Sequence, residues 1–485
     1  MGTLGRQQRT PGNLLFQKTD LSDFFQKIPF PLTDAQKRTI NEIYIDMVGS
    51  KIPMSRLVSG DVGSGKTVCA AASAAIALKN GYQCALMVPT EILANQHFKD
   101  LEPIFTSLGF QTVLLTGSLS AQEKRRIRTA IENGSADLII GTHALITDAT
   151  VFPRLGLVIT DEQHRFGVAQ RQALANKGER IHTLVMTATP IPRTLAHILY
   201  GDLDVSVIDT LPPGRQTVDT FAVNESYRAR LNQFIRKQVT EGHQVYIVCP
   251  AVEQTEEDEA ENGETISLDY RPERNQSPAI PLQAAVDYAK ALQNEVFPDL
   301  TIGILHGKMK AKDKDAVMSD FVKGKINILV STTVIEVGVN VPNATLMVIE
   351  NADRFGLAQL HQLRGRVGRG SAKSYCVLLS ESKKNSDAAA RLDMLCKSHN
   401  GYEIAEFDLK MRGPGDFFPA GDQMRQSGEF SFRYAALAAD AKIAENAAAD
   451  AKAILDSDPN LQDPAHQLLL NATKRFFKTS ENTIN

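Results

Sequence analysis

Short apolar runs alternate with helix-forming stretches in two successive series along this 485-residue chain, and few folds admit that arrangement. The first series runs from Leu32 to about Ile208. Its runs are Cys84–Val88, Thr112–Leu115, Asp137–Ile140, Leu157–Ile159 and Thr183–Met186, with Leu57-Val58 ahead of them. Leu211-Pro212-Pro213-Gly214-Arg215 punctuates the pattern as a linker would. The second series has Val245–Cys249, Thr301–Leu305, Ile326–Val330, Thr345–Ile349 and Ser374–Leu379. Runs this short and this uniformly apolar suit strands buried on both faces, which means parallel sheets covered by helices. The expected fold class is therefore α/β, with two parallel-sheet domains in tandem over residues 31–210 and 211–385. Residues 1–30 read as a lead-in and 253–281 as a solvated insertion carrying the acidic run Glu256–Glu259. Beyond about Ser386, Ala-rich sequence and the turn Arg412-Gly413-Pro414-Gly415 imply a small helical region over 386–485.

A net charge of −3 excludes a chain that holds polyanions by bulk charge, so any nucleic acid needs a local basic surface. The five cysteines are scattered without a CxxC pair, which points to core thiols in a reducing compartment and not to disulfides or zinc. With no apolar run long enough to span a bilayer and no N-terminal signal pattern, the expected location is the cytoplasm, away from membranes.

Gly60-Asp61-Val62-Gly63-Ser64-Gly65-Lys66-Thr67 fits the phosphate-loop pattern GxxxxGK[ST] and stands between an apolar segment and an Ala-rich helix. Its backbone N–H groups can converge on phosphates, Lys66 can reach the β- and γ-phosphates, and the Thr67 hydroxyl can ligate Mg²⁺. Ninety-five residues after Lys66, the run ending at Thr160 delivers Asp161 and Glu162. Asp161 is assigned to the Mg²⁺ shell and Glu162 to orienting the attacking water. Gln163 and His164 follow and could sense what sits beside the nucleotide. The second series contributes Gln359-Leu360-His361-Gln362-Leu363-Arg364-Gly365-Arg366-Val367-Gly368-Arg369-Gly370. Arg366 and Arg369 are expected to reach across a cleft as arginine fingers, so that hydrolysis of ATP requires two domains to close.

At this point the chain resembles a superfamily-two helicase core with two RecA-like domains, and more narrowly the RecG family of branched-DNA helicases. The resemblance runs from about Ile28 to the C-terminus. Phe30–Gln36 resembles the Q-motif, which implies that Gln36 contacts adenine. Pro89–His97 resembles motif Ia, with Thr90 and Gln96 as strand contacts. Thr116-Gly117-Ser118 and Gly141-Thr142-His143 resemble the remaining strand-contacting loops of the first domain. Thr187–Thr194 resembles motif III, with Thr187, Thr189 and Arg193 linking ATP state to nucleic acid. Ser331–Asn340 resembles motif V through Thr332 and Thr333, and the glycine–arginine run resembles motif VI. Small hydroxyl side chains and N–H groups at strand ends suit phosphate contacts that position a strand without reading its sequence.

Asp161–Val168 (Asp-Glu-Gln-His-Arg-Phe-Gly-Val), Tyr200–Asp204, Leu211–Arg215 and Asp408–Phe418 carry the narrower likeness. It implies that Gln163 and His164 relay toward motif III. It also implies that Arg412 couples ATP state to duplex translocation from a helical-hairpin element. The expected activity is an ATP- and Mg²⁺-dependent translocase and helicase, a monomer acting on the duplex arms of forks and junctions in recombination and repair. Two departures stand out. RecG chains normally carry a large N-terminal wedge domain, whereas about thirty residues precede the Q-motif here, so a motor fragment or a short form is expected. After Phe418 the chain reads Pro-Ala-Gly-Asp-Gln-Met-Arg-Gln-Ser-Gly, slightly longer than the family pattern. An RNA helicase, and a DNA clamp that binds ATP without separating strands, are the competing expectations.

Overall fold

The computed structural model describes residues 16–49, 52–161, 174, 177, 181–189, 203–212, 216–250, 282–332, 341–383, 385–412, 441–458 and 461–481. Among these residues two wholly parallel sheets form. The first has β1 (Ser55–Gly60), β2 (Gln83–Met87), β3 (Thr112–Leu115), β4 (Leu138–Gly141), β5 (Leu155–Thr160), β6 (His182–Thr187) and β7 (Asp204–Ile208). Their order across the sheet is β3-β4-β2-β5-β6-β1-β7. The second has β8 (Val218–Val223), β9 (Gln244–Val248), β10 (Ile302–Leu305), β11 (Ile328–Ser331), β12 (Ala344–Ile349) and β13 (Ser374–Leu379), in the order β10-β11-β9-β12-β13-β8.

Because side chains alternate across a strand, each sheet feeds two cores. On β5, Leu157 and Ile159 join one cluster while Val158 between them joins the cluster on the opposite face. On β9, Tyr246 and Val248 divide from Val245 and Ile247 in the same way. Helices α1 (Asp34–Gly49), α2 (Lys66–Lys79), α3 (Glu91–Ser107) and α4 (Ala121–Glu132) accompany the first sheet. α2 is buried continuously from Val68 to Leu78, which its small Ala, Ser and Cys side chains permit. Helices α5 (Arg228–Thr240), α6 (Leu282–Ala291) and α7 (Ala311–Val322) accompany the second sheet, and α8 (Leu357–Arg364) opens the glycine–arginine run. α9 (Asp387–Lys397), α10 (Gly401–Arg412), α11 (Ala441–Ser457) and α12 (Gln467–Glu481) make the C-terminal helical region.

The structure extends the sequence reading in two places. Residues 16–26 are part of the first core: Phe16 stacks on Tyr82 at 5.1 Å, and Phe24 is fully buried near Phe105. β7 and β8 are edge strands that no apolar run announced; their sequences, DVSVI and VDTFAV, are half polar because an edge demands less burial. Cys69, Cys84, Cys249 and Cys376 are buried and all five cysteines are free thiols. Burial pushes the Cys69 thiol up to about 12. The proposed insertion at 253–281 lies outside the described residues, and no described helix is long and apolar enough to cross a membrane.

Candidate active site

Parallel strands place all their C-terminal ends on one edge, and the motifs of the first domain follow those ends one by one. The phosphate loop leaves β1 and Asp161 leaves β5, with β6 between them, so the two lie about 10 Å apart by strand spacing alone. Gly63 and Gly65 adopt φ of 76° and 82°, a left-handed conformation that side-chain-bearing residues resist. A Cβ on Gly65 would also overlap Gln36 Nε2. α2 starts behind Gly65 with no side-chain cap, which leaves its first amides for an anion. Lys66 Nζ donates to the carbonyls of Gly60 (2.8 Å) and Asp61 (2.9 Å), so the ammonium already lies in the loop that would enclose phosphate. Ser64 Oγ is buried there without a hydrogen-bond partner. A cradle with a cation inside it, an uncapped helix start and an orphaned hydroxyl fits a nucleotide's phosphates. Thr67, on the first turn of α2, and Asp161 carry oxygen atoms of the kind that Mg²⁺ takes beside phosphates.

Gln36 is buried and braces this loop: its Nε2 donates to Ser64 O (2.9 Å) and its Oε1 accepts from Thr33 N (2.9 Å). One amide hydrogen remains for a base. Asp161 Oδ2 lies 3.1 Å from Nε2 of His97 on α3, a residue of the motif Ia stretch whose sequence pattern assigns it no role. Thr187 and Thr189, at the end of β6 between the phosphate loop and Asp161, share a 2.6 Å hydroxyl contact. Glu162, Gln163, His164, Arg193 and Thr333 lie outside the described residues, as does the side chain of Arg412, the last residue of α10.

On the β3-β4-β2 half of the edge, the expected strand contacts are unequal. Gly117 and His143 are exposed, and Gln96 is half-buried. Thr90 caps α3, its hydroxyl accepting from Leu93 N at 3.4 Å. Thr116 and Thr142 are buried, so their hydroxyls do not face solvent. In the second domain Thr332 is buried at the end of β11, and its amide donates to Leu305 O at 3.1 Å.

The second domain meets the loop directly. A Cβ on Gly365 would come within 2.8 Å of Val62 Cβ, so the backbone beside Arg366 rests on the phosphate loop. Asp61 Oδ1 lies 2.6 Å from His361 Nε2, and Arg364 Nη2 lies 2.9 Å from His361 Nδ1. Arg366 is buried, and Arg369 donates from Nε to Gly365 O at 3.3 Å. From α10, the Tyr402 hydroxyl reaches Ser59 Oγ on β1 at 3.2 Å. His361 and Arg364 stand inside the run read for its arginines, and their i, i+3 spacing on α8 was the available signal. Tyr402 had none, since a contact across 343 residues has no local pattern.

Comparison with known proteins agrees with this arrangement. Residues 33–198 match the DEAD/DEAH box helicase model, 227–371 the helicase conserved C-terminal domain, and 398–484 the C-terminal part of domain 3 of ATP-dependent DNA helicase RecG. The ATP-dependent DNA helicase RecG of Synechocystis is 47% identical over 459 residues, covering 94% of this chain and 52% of that protein. The Bacillus subtilis RecG is 43% identical over 454 residues, covering 94% of this chain and 62% of its own length. The chain thus spans between half and two thirds of these relatives. Among solved structures, RecG bound to a three-way DNA junction aligns with a TM-score of 0.73 at 41% identity, over 92% of this chain and 55% of that one. Mss116p bound to single-stranded RNA and AMP-PNP shares the fold, with a TM-score of 0.56 at 18% identity, over 85% of this chain and 82% of that one. With two RecA-like domains, a phosphate loop closed by a glycine–arginine run and a C-terminal region matched by a RecG-specific model, the chain belongs to the RecG family of helicases.

Proposed function

We propose that this chain is an ATP-driven motor that translocates on the duplex arms of branched DNA. The observation that carries the proposal is the meeting of two domains at one loop: Gly365 rests on Val62 and His361 bonds Asp61, which supports reading the neighbouring Arg366 and Arg369 as partners of the phosphate cradle. A bound nucleotide would draw Lys66 from the Gly60 and Asp61 carbonyls onto its β- and γ-phosphates. Thr67 and Asp161 would hold Mg²⁺, which would neutralise charge on the β- and γ-phosphate oxygens. Glu162 would orient the attacking water, and Arg366 with Arg369 would stabilise charge developing on the γ-phosphoryl group. Nothing in this set forms a covalent bond to substrate, so catalysis would be positioning and electrostatics.

Hydrolysis would loosen the domain contact, and Tyr402 on Ser59 gives the C-terminal helices a direct hold on β1. Exposed Gly117 and His143 would meet the nucleic-acid backbone. Branched DNA is favoured as substrate by the likeness to a RecG structure bound to a three-way junction. The test is ATP turnover by the purified chain with forked DNA, linear duplex and single-stranded RNA. Forked DNA should stimulate most, and Lys66→Ala should lower turnover at least about a hundredfold. Turnover that survives Lys66→Ala, or that responds to RNA alone, would refute the proposal.

A further inference from the structure

Asp61 is the second residue of the phosphate loop and one end of a hydrogen-bonded chain that crosses the domain boundary. Its Oδ1 accepts from the Val62 amide at 2.6 Å and faces His361 Nε2 at 2.6 Å. On the other side of the imidazole, Arg364 Nη2 sits 2.9 Å from Nδ1. A guanidinium can only donate, so Nδ1 accepts, and Nε2 must carry the hydrogen that goes to Asp61. Arg364 is in turn held by the carbonyls of Leu395 (2.7 Å) and Ser398 (2.8 Å). The imidazole is therefore fixed in one tautomer and one orientation by a partner from its own domain. Burial alone would raise the Asp61 carboxyl, but the His361 hydrogen bond, the Val62 amide and the nearby Lys66 together hold it below the usual aspartate range. The acceptor is thus a carboxylate at neutral pH, and the contact is charge-assisted.

We infer that His361 is a positioning residue: its bond to Asp61 sets the register in which the second domain docks on the phosphate loop, and so places Arg366 and Arg369. The inference rests on the ATP-hydrolysing function proposed above. α8 ends at Arg364, so Gly365 and Arg366 follow with no further helix to guide them. Without the bond the run would still reach the loop but in several registers. Gln36, Lys66 and the glycines all belong to the first domain, so ATP binding would be spared while the step needing the arginines slows.

The test is steady-state ATP turnover at saturating forked DNA, with kcat and KM measured separately. His361→Ala should lower kcat about tenfold or more while KM moves less than about twofold. Glutamine can place a donor where Nε2 stood, whereas asparagine reaches only the Nδ1 position. His361→Gln should therefore stay within about threefold of the unmodified chain, and His361→Asn should resemble His361→Ala. Asp61→Ala combined with His361→Ala should be no worse than the more damaging single change. An unchanged kcat, equal losses for glutamine and alanine, or additive losses would each overturn the inference.

A second readout is independent of turnover. Energy transfer between dyes at Lys99→Cys and Lys325→Cys, exposed positions on α3 and beside β11, reports the interdomain distance. That distance should lengthen or broaden in His361→Ala but not in His361→Gln, and no change would overturn the inference. A chain that fails to hydrolyse ATP yet shows this response would refute the proposed function and support the positioning role of His361.

Discussion

His182 opens β6, the strand between the phosphate-loop strand and the Asp161 strand, and it should make the nucleotide domain acid-sensitive. Its Nδ1 accepts the Met54 amide at 2.9 Å, its ring lies 4.6 Å from Phe16, and its Nε2 is buried without a partner. Protonating Nδ1 would break the Met54 bond and bury a charge. Desolvation accordingly depresses the imidazole from 6.5 to about 4. A depressed folded value means that the unfolded chain binds the proton first. The stability this residue contributes is therefore complete above pH 6.5 and is lost as pH falls from 6.5 toward 4. At pH 5 the loss is 1.5 pH units at about 1.36 kcal/mol each, or about 2 kcal/mol.

The comparison is between the unmodified chain and His182→Asn, whose Oδ1 can still accept from Met54 but does not titrate. Urea unfolding followed by far-ultraviolet circular dichroism, at pH 7 and pH 5, gives the stability gap between them. Asparagine should be less stable at pH 7, where it forfeits the ring packed on Phe16, by about 1–3 kcal/mol. That gap should shrink by about 2 kcal/mol at pH 5, because only the unmodified chain pays for the proton. A gap constant within about 0.5 kcal/mol between the two pH values would refute the reasoning.

Gly65→Ala should cost about 1–2 kcal/mol from φ of 82° alone, and more from displacing Gln36, and should weaken binding of an ATP analogue in a titration. Arg56 is buried and bonds Asp46 (2.6 Å), Glu42 (3.2 Å) and Ser206 (2.7 Å), so Arg56→Ala should cost about 3 kcal/mol in urea unfolding. Arg236→Ala breaks the exposed pair with Asp299 and should change stability by less than about 1 kcal/mol in the same assay. Phe16→Ala should cost about 3 kcal/mol, and a neutral result would mean that residues 16–26 are not part of the first core.

The α/β class was legible because central parallel strands must be apolar on both faces, and runs such as Cys84–Val88 and Thr345–Ile349 carry that demand openly. β7 and β8 carry no such run because an edge strand is stabilised by the neighbour it docks on, β1 and β13 here, and not by its own composition. The phosphate loop was legible for a local reason as well: eight consecutive residues hold the glycines, lysine and threonine that a phosphate cradle needs. Thr116 and Thr142 show what motif reading leaves open: their residue type suits backbone contacts, while their burial at the strand ends is decided by the fold.

What sequence by itself determined, then, was everything encoded within a few residues: the strand periodicity, the glycine conformations, the cation at Lys66 and the RecG likeness of its ordered motifs. Tertiary structure alone decided which of these groups meet. Asp61 and His361 are 300 residues apart, Ser59 and Tyr402 are 343 apart, and each pair touches because two sheets dock at one loop. Local propensity acts over a turn of helix or a strand, whereas a contact across two domains depends on every element that orients them. The pattern of residues named the nucleotide site, and the packing of the second domain against it supplied the histidine that bonds Asp61 of the phosphate loop.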